Sequence, residues 1–153
     1  RGIELEPAKV ASAVARGLAV VQGDADTDLA DYPDGAFDVV ILSNTLQAMR
    51  SPAAVLRELV RIGRTAVVSF PNFGHWRVRA AILMGGRMPV TRCLPVSWHE
   101  TPNIHLCTID DFRALAAELG LTVESATFLS GGRPRGAVAA NLLGETAIFV
   151  LRR

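Results

Sequence analysis

Three polar positions end three apolar runs in this chain: Glu4 after Gly2-Ile3, Asp24 after Leu18–Val21, and Ser43-Asn44 after Val39–Leu42. If such runs are strands of an open α/β sheet, their carboxyl ends open into the crevice where ligands bind. A carboxylate at the first tip, just ahead of a helix, can accept hydrogen bonds from the two hydroxyls of a ribose. The same group equally suits a solvated helix start, helped by the helix dipole. Asp24, with Asp26 nearby, could take a hydrogen bond from an adenine amino group, although acidic turns also occur without such a role. Ser43-Asn44 would form the floor of a small-molecule site. The three tips are more informative together than singly.

Other reactive side chains give weaker signals. His75, His99 and His105 lack the i, i+4 spacing of a helical zinc pair, so no metal site is expected. His105 suits acid–base work or a structural hydrogen bond. Cys93 and Cys107 lie fourteen apart with no C-x-x-C pairing, and a reduced, cytoplasmic setting is expected over a disulfide. The chain has 16 basic and 15 acidic side chains, for a net charge of +1, so no global field draws it to nucleic acid. The distribution is uneven: Arg77, Arg79, Arg87 and Arg92 fall in a stretch without any acid. That stretch reads as a solvated face, or as an anion site or docking surface for an acidic partner. No run approaches the ~18 uninterrupted apolar residues of a membrane helix. No basic-then-apolar leader is expected ahead of the fold.

The elements that must position these groups alternate in type. Gly2–Glu4 reads as the end of a strand entering a helix, with Pro7 in its first turn and Gly17 at its end. Strands are predicted at 18–22, 37–43, 65–70, 121–129 and 145–151. The run at 37–43 is so uniformly apolar that it reads as a central strand covered on both faces. Val55, Leu56, Leu59 and Val60 make one stripe of a helix beginning near Pro52. Thr108 and Asp111 have capping-box spacing ahead of another helix. Residues 72–107 hold only one helical candidate, 76–84, in a long segment rich in Pro, Gly and Arg; such segments serve as lids or binding surfaces. Residues 130–136 read as a Gly-rich loop. One layered α/β domain over 1–153 is expected, with no internal repeat.

The strand tips resemble the class I S-adenosylmethionine-dependent methyltransferase fold. In that family an acid ends the second strand, a Gly-Asp-Ala-like turn ends the third, and Phe-Asp-Val-Val opens the fourth. Here these are Glu4, Gly23-Asp24-Ala25 and Phe37-Asp38-Val39-Val40. Longer segments are similar to the MetW family of methionine biosynthesis proteins: Ile41–Ala48, Val68–Arg77, Gly85–Thr91 and Thr101–Thr108.

The resemblance implies a three-layer Rossmann-like sheet, mostly parallel, with the last strand antiparallel. It implies S-adenosylmethionine as cofactor, with Glu4 and Leu5 at the ribose, Asp24 and Ala25 at the adenine, and Ser43 and Asn44 near the methionine end. It also implies a first strand and a glycine-rich loop that these 153 residues do not contain. The domain is therefore expected to be incomplete at its amino terminus and to hold the cofactor weakly as it stands. The implied partner is a homoserine O-acyltransferase, with Trp76, Arg77 and Arg79 as candidate contacts. The alternative is a small-molecule methyltransferase that uses 72–107 as its lid, and a nicotinamide-dependent oxidoreductase stands third. No catalytic base is evident, because Ser43-Asn44-Thr45-Leu46 stands where amino-group methyltransferases carry Asn-Pro-Pro-Tyr. Methyl transfer needs mainly proximity and orientation, so that absence does not exclude an enzyme.

Overall fold

A computed structural model describes residues 1–153. The chain opens with β1 (Gly2–Glu4), α1 (Pro7–Ala15) and β2 (Val20–Gln22). Pro7 sits in the first turn of α1, where its missing N–H costs nothing, and Gly17 leaves the helix at φ +78°. β1 and β2 pair in parallel as a two-stranded ribbon, with Glu4 opposite Gln22. A 3₁₀ turn (Asp28–Asp31) leads to β3 (Phe37–Ser43). After a second 3₁₀ turn (Leu46–Ala48) come α2 (Pro52–Ile62) and β4 (Gly63–Pro71).

α3 (Trp76–Gly85) is the one helix of the long segment before α4 (Ile109–Glu118). β5 (Thr122–Ser130), β6 (Arg133–Arg135), α5 (Ala140–Leu143) and β7 (Thr146–Arg152) complete the chain. The second sheet has the order β3-β4-β7-β5-β6. β3 and β4 are parallel, while β7 runs antiparallel to both of its neighbours, β4 and β5. The strands β3, β4 and β5 therefore share one direction, and their carboxyl ends lie at one edge of the molecule. The antiparallel last strand is as predicted.

Alternate residues of the middle strands build the core. Ala66, Val68 and Phe70 of β4 and Ala147, Phe149 and Leu151 of β7 are buried on one face. α2 covers it with Val55, Leu56, Leu59 and Ile62, and α4 with Ile109, Phe112 and Ala116. Phe149 lies within 4.5–6.0 Å, ring centre to ring centre, of Phe70, Phe112 and Phe128. The predicted capping box is present: Thr108 Oγ1 accepts from the Asp111 amide, and Asp111 accepts from the Thr108 amide at 3.2 Å each.

Among these 153 residues β3 ends its sheet and Ile41 is 68% exposed, on the side where the family resemblance implies a further strand. An apolar groove of about 260 Å³ separates β3 from β1, lined among others by Ile3, Leu29, Phe37, Val40 and Leu42. The segment 130–136 is more than a loop: Ser130 and Arg133 pair across a tight turn in which Gly131 and Gly132 both have positive φ, giving the short strand β6.

Candidate functional site

Glu4 and Asp24 lie side by side because parallel pairing puts the ends of β1 and β2 together. The Gly23 amide donates to the Glu4 carbonyl at 3.1 Å. One carboxylate oxygen of Glu4 accepts the Glu6 amide at 3.0 Å, holding the entry to α1, and the other has no protein partner. Leu5 is exposed beside it, and Ala25 packs against the core.

Asp24 is already engaged. It accepts from the Asp26 amide at 2.9 Å and from the Arg50 guanidinium at 2.7 Å. Asp26 explains much of the acidic turn in structural terms: it accepts from the amides of Arg50 and Ser51 at 2.9 and 3.1 Å, tying down the start of α2. Because Arg50 is 73% exposed, its pair with Asp24 is a weak surface contact that a ligand can displace.

Ser43 and Asn44 stand at the end of β3, and no hydrogen bond joins them to these acids. The Asn44 amide donates to the Ser69 carbonyl at 2.9 Å and to the Ser69 hydroxyl at 3.2 Å. That hydroxyl lies 3.4 Å from the Ser43 hydroxyl. Asn44 adopts φ +51°, a left-handed conformation that Asn tolerates better than most residues. The chain thereby turns sharply off β3 and exposes backbone at the strand tip. The sequence-predicted positions thus form two clusters, Glu4, Leu5, Asp24 and Ala25 by the ribbon and Ser43 and Asn44 on the sheet; of these Ala25 lines the apolar groove and Asn44 a larger cavity.

Beyond Asn44 the carboxyl ends of β3 and β4 open into a cavity of about 480 Å³. Its polar lining includes Asn44, Gln47, Arg92, Asn103 and Glu145. A second cavity of about 260 Å³ shares Arg92, Cys93, Leu94 and Glu145 with it and adds His75. Sequence reasoning missed Gln47, Ser69, Asn103 and Glu145, and noted Arg92 only as part of a basic stretch. The sole signals were a lone amide amid Leu46, Ala48 and Met49 and a single acid opening the last strand.

Behind the cavities stands Asn72, which the sequence marks only as part of a turn. It is buried, donates to the carbonyls of Asn141 and Gly144 at 2.9 and 2.7 Å, and accepts from the amides of Gly74 and Ile109. A Cβ on Gly74 would stand 2.7 Å from Asn141 Oδ1, so only glycine fits there. His75 caps α3, its Nδ1 accepting the Arg77 amide at 3.4 Å, and burial pushes its pKa below the ordinary 6.5. Burial also pushes the Cys107 thiol up to about 12, which makes it a poor nucleophile. Both cysteines are free. The backbone amides of Ile104 and His105 both donate to the Gln47 carbonyl, at 2.9 and 3.0 Å.

The fold is shared with solved S-adenosylmethionine-dependent methyltransferases. A methyltransferase of this kind from Mesorhizobium loti superposes with TM-score 0.69 at 19% identity, over 99% of this chain and 79% of that one. A possible histamine N-methyltransferase from Thermotoga maritima gives TM-score 0.68 at 15% identity, over 98% and 71%. At these identities the likeness defines a Rossmann-like α/β fold.

The family is narrower than the fold. The model of the methionine biosynthesis protein MetW family matches residues 1–151, and the chain belongs to that family. A bifunctional methionine biosynthesis protein MetXA/MetW of Rhodopirellula baltica is 33% identical over 99% of the chain. The chain spans about a quarter of that relative's length.

Proposed function

We propose that the chain is an accessory protein of methionine biosynthesis that associates with a homoserine O-acyltransferase and binds S-adenosylmethionine. The observation that carries the partnership is the fused relative, in which a MetW part shares one polypeptide with a MetXA part. Fusion holds two modules at millimolar effective concentration, an advantage when they work in contact.

The candidate contact surface is α3. Trp76 is half-exposed, with the Arg77 guanidinium 5.4 Å from its ring centre, and Leu83 and Met84 are 87% and 82% exposed. Aromatic residues, Met and Arg are the types enriched at interface centres. Arg79 is less free, because its Nε donates to the Gly74 carbonyl at 2.5 Å.

For the cofactor, Glu4 and Leu5 would hold the ribose, Asp24 and Ala25 the adenine, and Ser43 and Asn44 the methionine end, with Arg50 turned aside from Asp24. The bound sulfonium would supply an activated methyl group.

Co-purification tests the partnership. The unmutated protein should recover the acyltransferase, and Trp76→Ala/Arg77→Ala should reduce recovery, since losing a hot-spot anchor costs about 2 kcal/mol or more. Equal recovery by both proteins removes α3 from the interface. No recovery by the unmutated protein removes the partnership.

A further inference from the structure

The larger cavity at the carboxyl ends of β3 and β4 contains two opposite charges that do not pair with each other. Arg92 and Glu145 line both this cavity and the smaller one beside it. Neither belongs to any ion pair of the molecule. Arg92 has no side-chain hydrogen bond at all, and Glu145 accepts only the Gly131 amide, at 2.7 Å through one oxygen. Arg92 is exposed and Glu145 half-buried on this shared wall. Here the backbone holds Glu145 at the start of β7 and Arg92 on the 91–94 turn, where Thr91 and Leu94 bond each other's backbone.

A third group is also unsatisfied. Gln47 is only 4% exposed, and its Oε1 has no hydrogen-bond partner. The amide cannot simply be reversed, because its Nε2 donates to the Asn44 carbonyl at 2.7 Å. An orphaned buried acceptor on a cavity wall can be satisfied by a water or by a donor from a ligand. Beside these groups Leu94, Val96 and Leu129 supply apolar surface.

From this set we infer that the cavity binds a small α-amino acid as its zwitterion. The carboxylate pairs with Arg92, whose planar guanidinium can grip it with two parallel hydrogen bonds. The ammonium lies toward the free oxygen of Glu145 and the Gln47 carbonyl, and the side chain rests on Leu94, Val96 and Leu129. A ligand with one charge would leave the opposite protein charge uncompensated, so the pair selects for both. The cavity volume of about 480 Å³ falls within the range of small-molecule sites. This site goes beyond the proposed cofactor cradle and shares only Asn44 with it.

The test is titration of the full-length protein that contains these residues with L-alanine, L-serine, L-leucine and L-methionine. Each is paired with its amide, which lacks the carboxylate, and its deaminated acid, which lacks the ammonium. Ligand-observed NMR and calorimetry read binding up to about 10 mM. At least one amino acid should bind, with its amide and its deaminated acid at least about tenfold weaker. Arg92→Ala and Glu145→Gln should each weaken it at least about tenfold, with thermal midpoints near the unmutated value. No binding by any of the four overturns the site, as does equal binding of the amides or indifference to both substitutions. Competition by S-adenosylhomocysteine would place the amino acid at the cofactor's methionine end instead, and would also overturn it. S-adenosylhomocysteine binding, measured alone, reports on the cofactor cradle whatever the amino acids do.

Discussion

His75 ties the chemistry of one residue to the stability of the whole. Burial disfavours its imidazolium, the Arg77 charge adds to that, and Glu145 opposes it; the net shift is downward. In the unfolded chain the ring titrates near its ordinary 6.5. As pH falls below that value the unfolded state takes up the proton first, so stability is lost until the folded pKa is passed. Urea unfolding between about pH 7 and 5 should show a falling midpoint that is flatter in His75→Gln. An equal slope in both proteins would assign the loss to other groups. Glu4 offers the second test at this scale. Glu4→Ala should weaken S-adenosylmethionine binding by on the order of 1.5–3 kcal/mol for each charge-assisted bond lost. Ligand-observed NMR reads this even at millimolar affinity. Unchanged binding removes Glu4 from the cradle.

Among the elements, β7 carries the most. It lies between β4 and β5 and buries Ala147, Phe149 and Leu151. Phe149 touches three other rings, so Phe149→Ala leaves a cavity that its neighbours cannot fill without leaving their own packing. A loss of about 3–5 kcal/mol in denaturant unfolding is expected. Asn72 is the polar counterpart, tying the end of β4 to α4 and to the end of α5 through three hydrogen bonds, with a fourth from the Gly74 amide. Asn72→Ala should strand buried amides and carbonyls at about 1–3 kcal/mol for each left unpaired, read by the same unfolding experiment.

At the scale of the molecule, two sheets of unequal strength flank one groove. The β1–β2 ribbon has no fully buried residue, and α1 beside it has none either. Ile3 and Ala25 are its anchors on the core. A two-stranded ribbon with so little burial is marginal by itself. Amide exchange should therefore show β1 and β2 opening locally at low free energy, while Val68 and Phe149 exchange only through global unfolding. Equal protection in both sheets would show that the groove is bridged more firmly than its contacts indicate. No helix is long and apolar enough to cross a membrane.

Several features were legible in the sequence because they are set locally. The helix at Pro52 follows from an apolar stripe, α4 from the Thr108–Asp111 capping box, and the strands from runs of β-branched residues bounded by turns. The family was legible too, because long unusual segments such as Val68–Arg77 carry it. Side-chain pairing across distant segments was not. Only the folded chain brings Arg50 onto Asp24, puts Asn72 under Ile109, and sets Glu145 and Arg92 around one cavity with Gln47. Which face of β3 is covered was likewise decided in three dimensions. An apolar run states that a strand is covered, whereas the fold determines which helix covers it and which strand pairs with it, here α2 and β4.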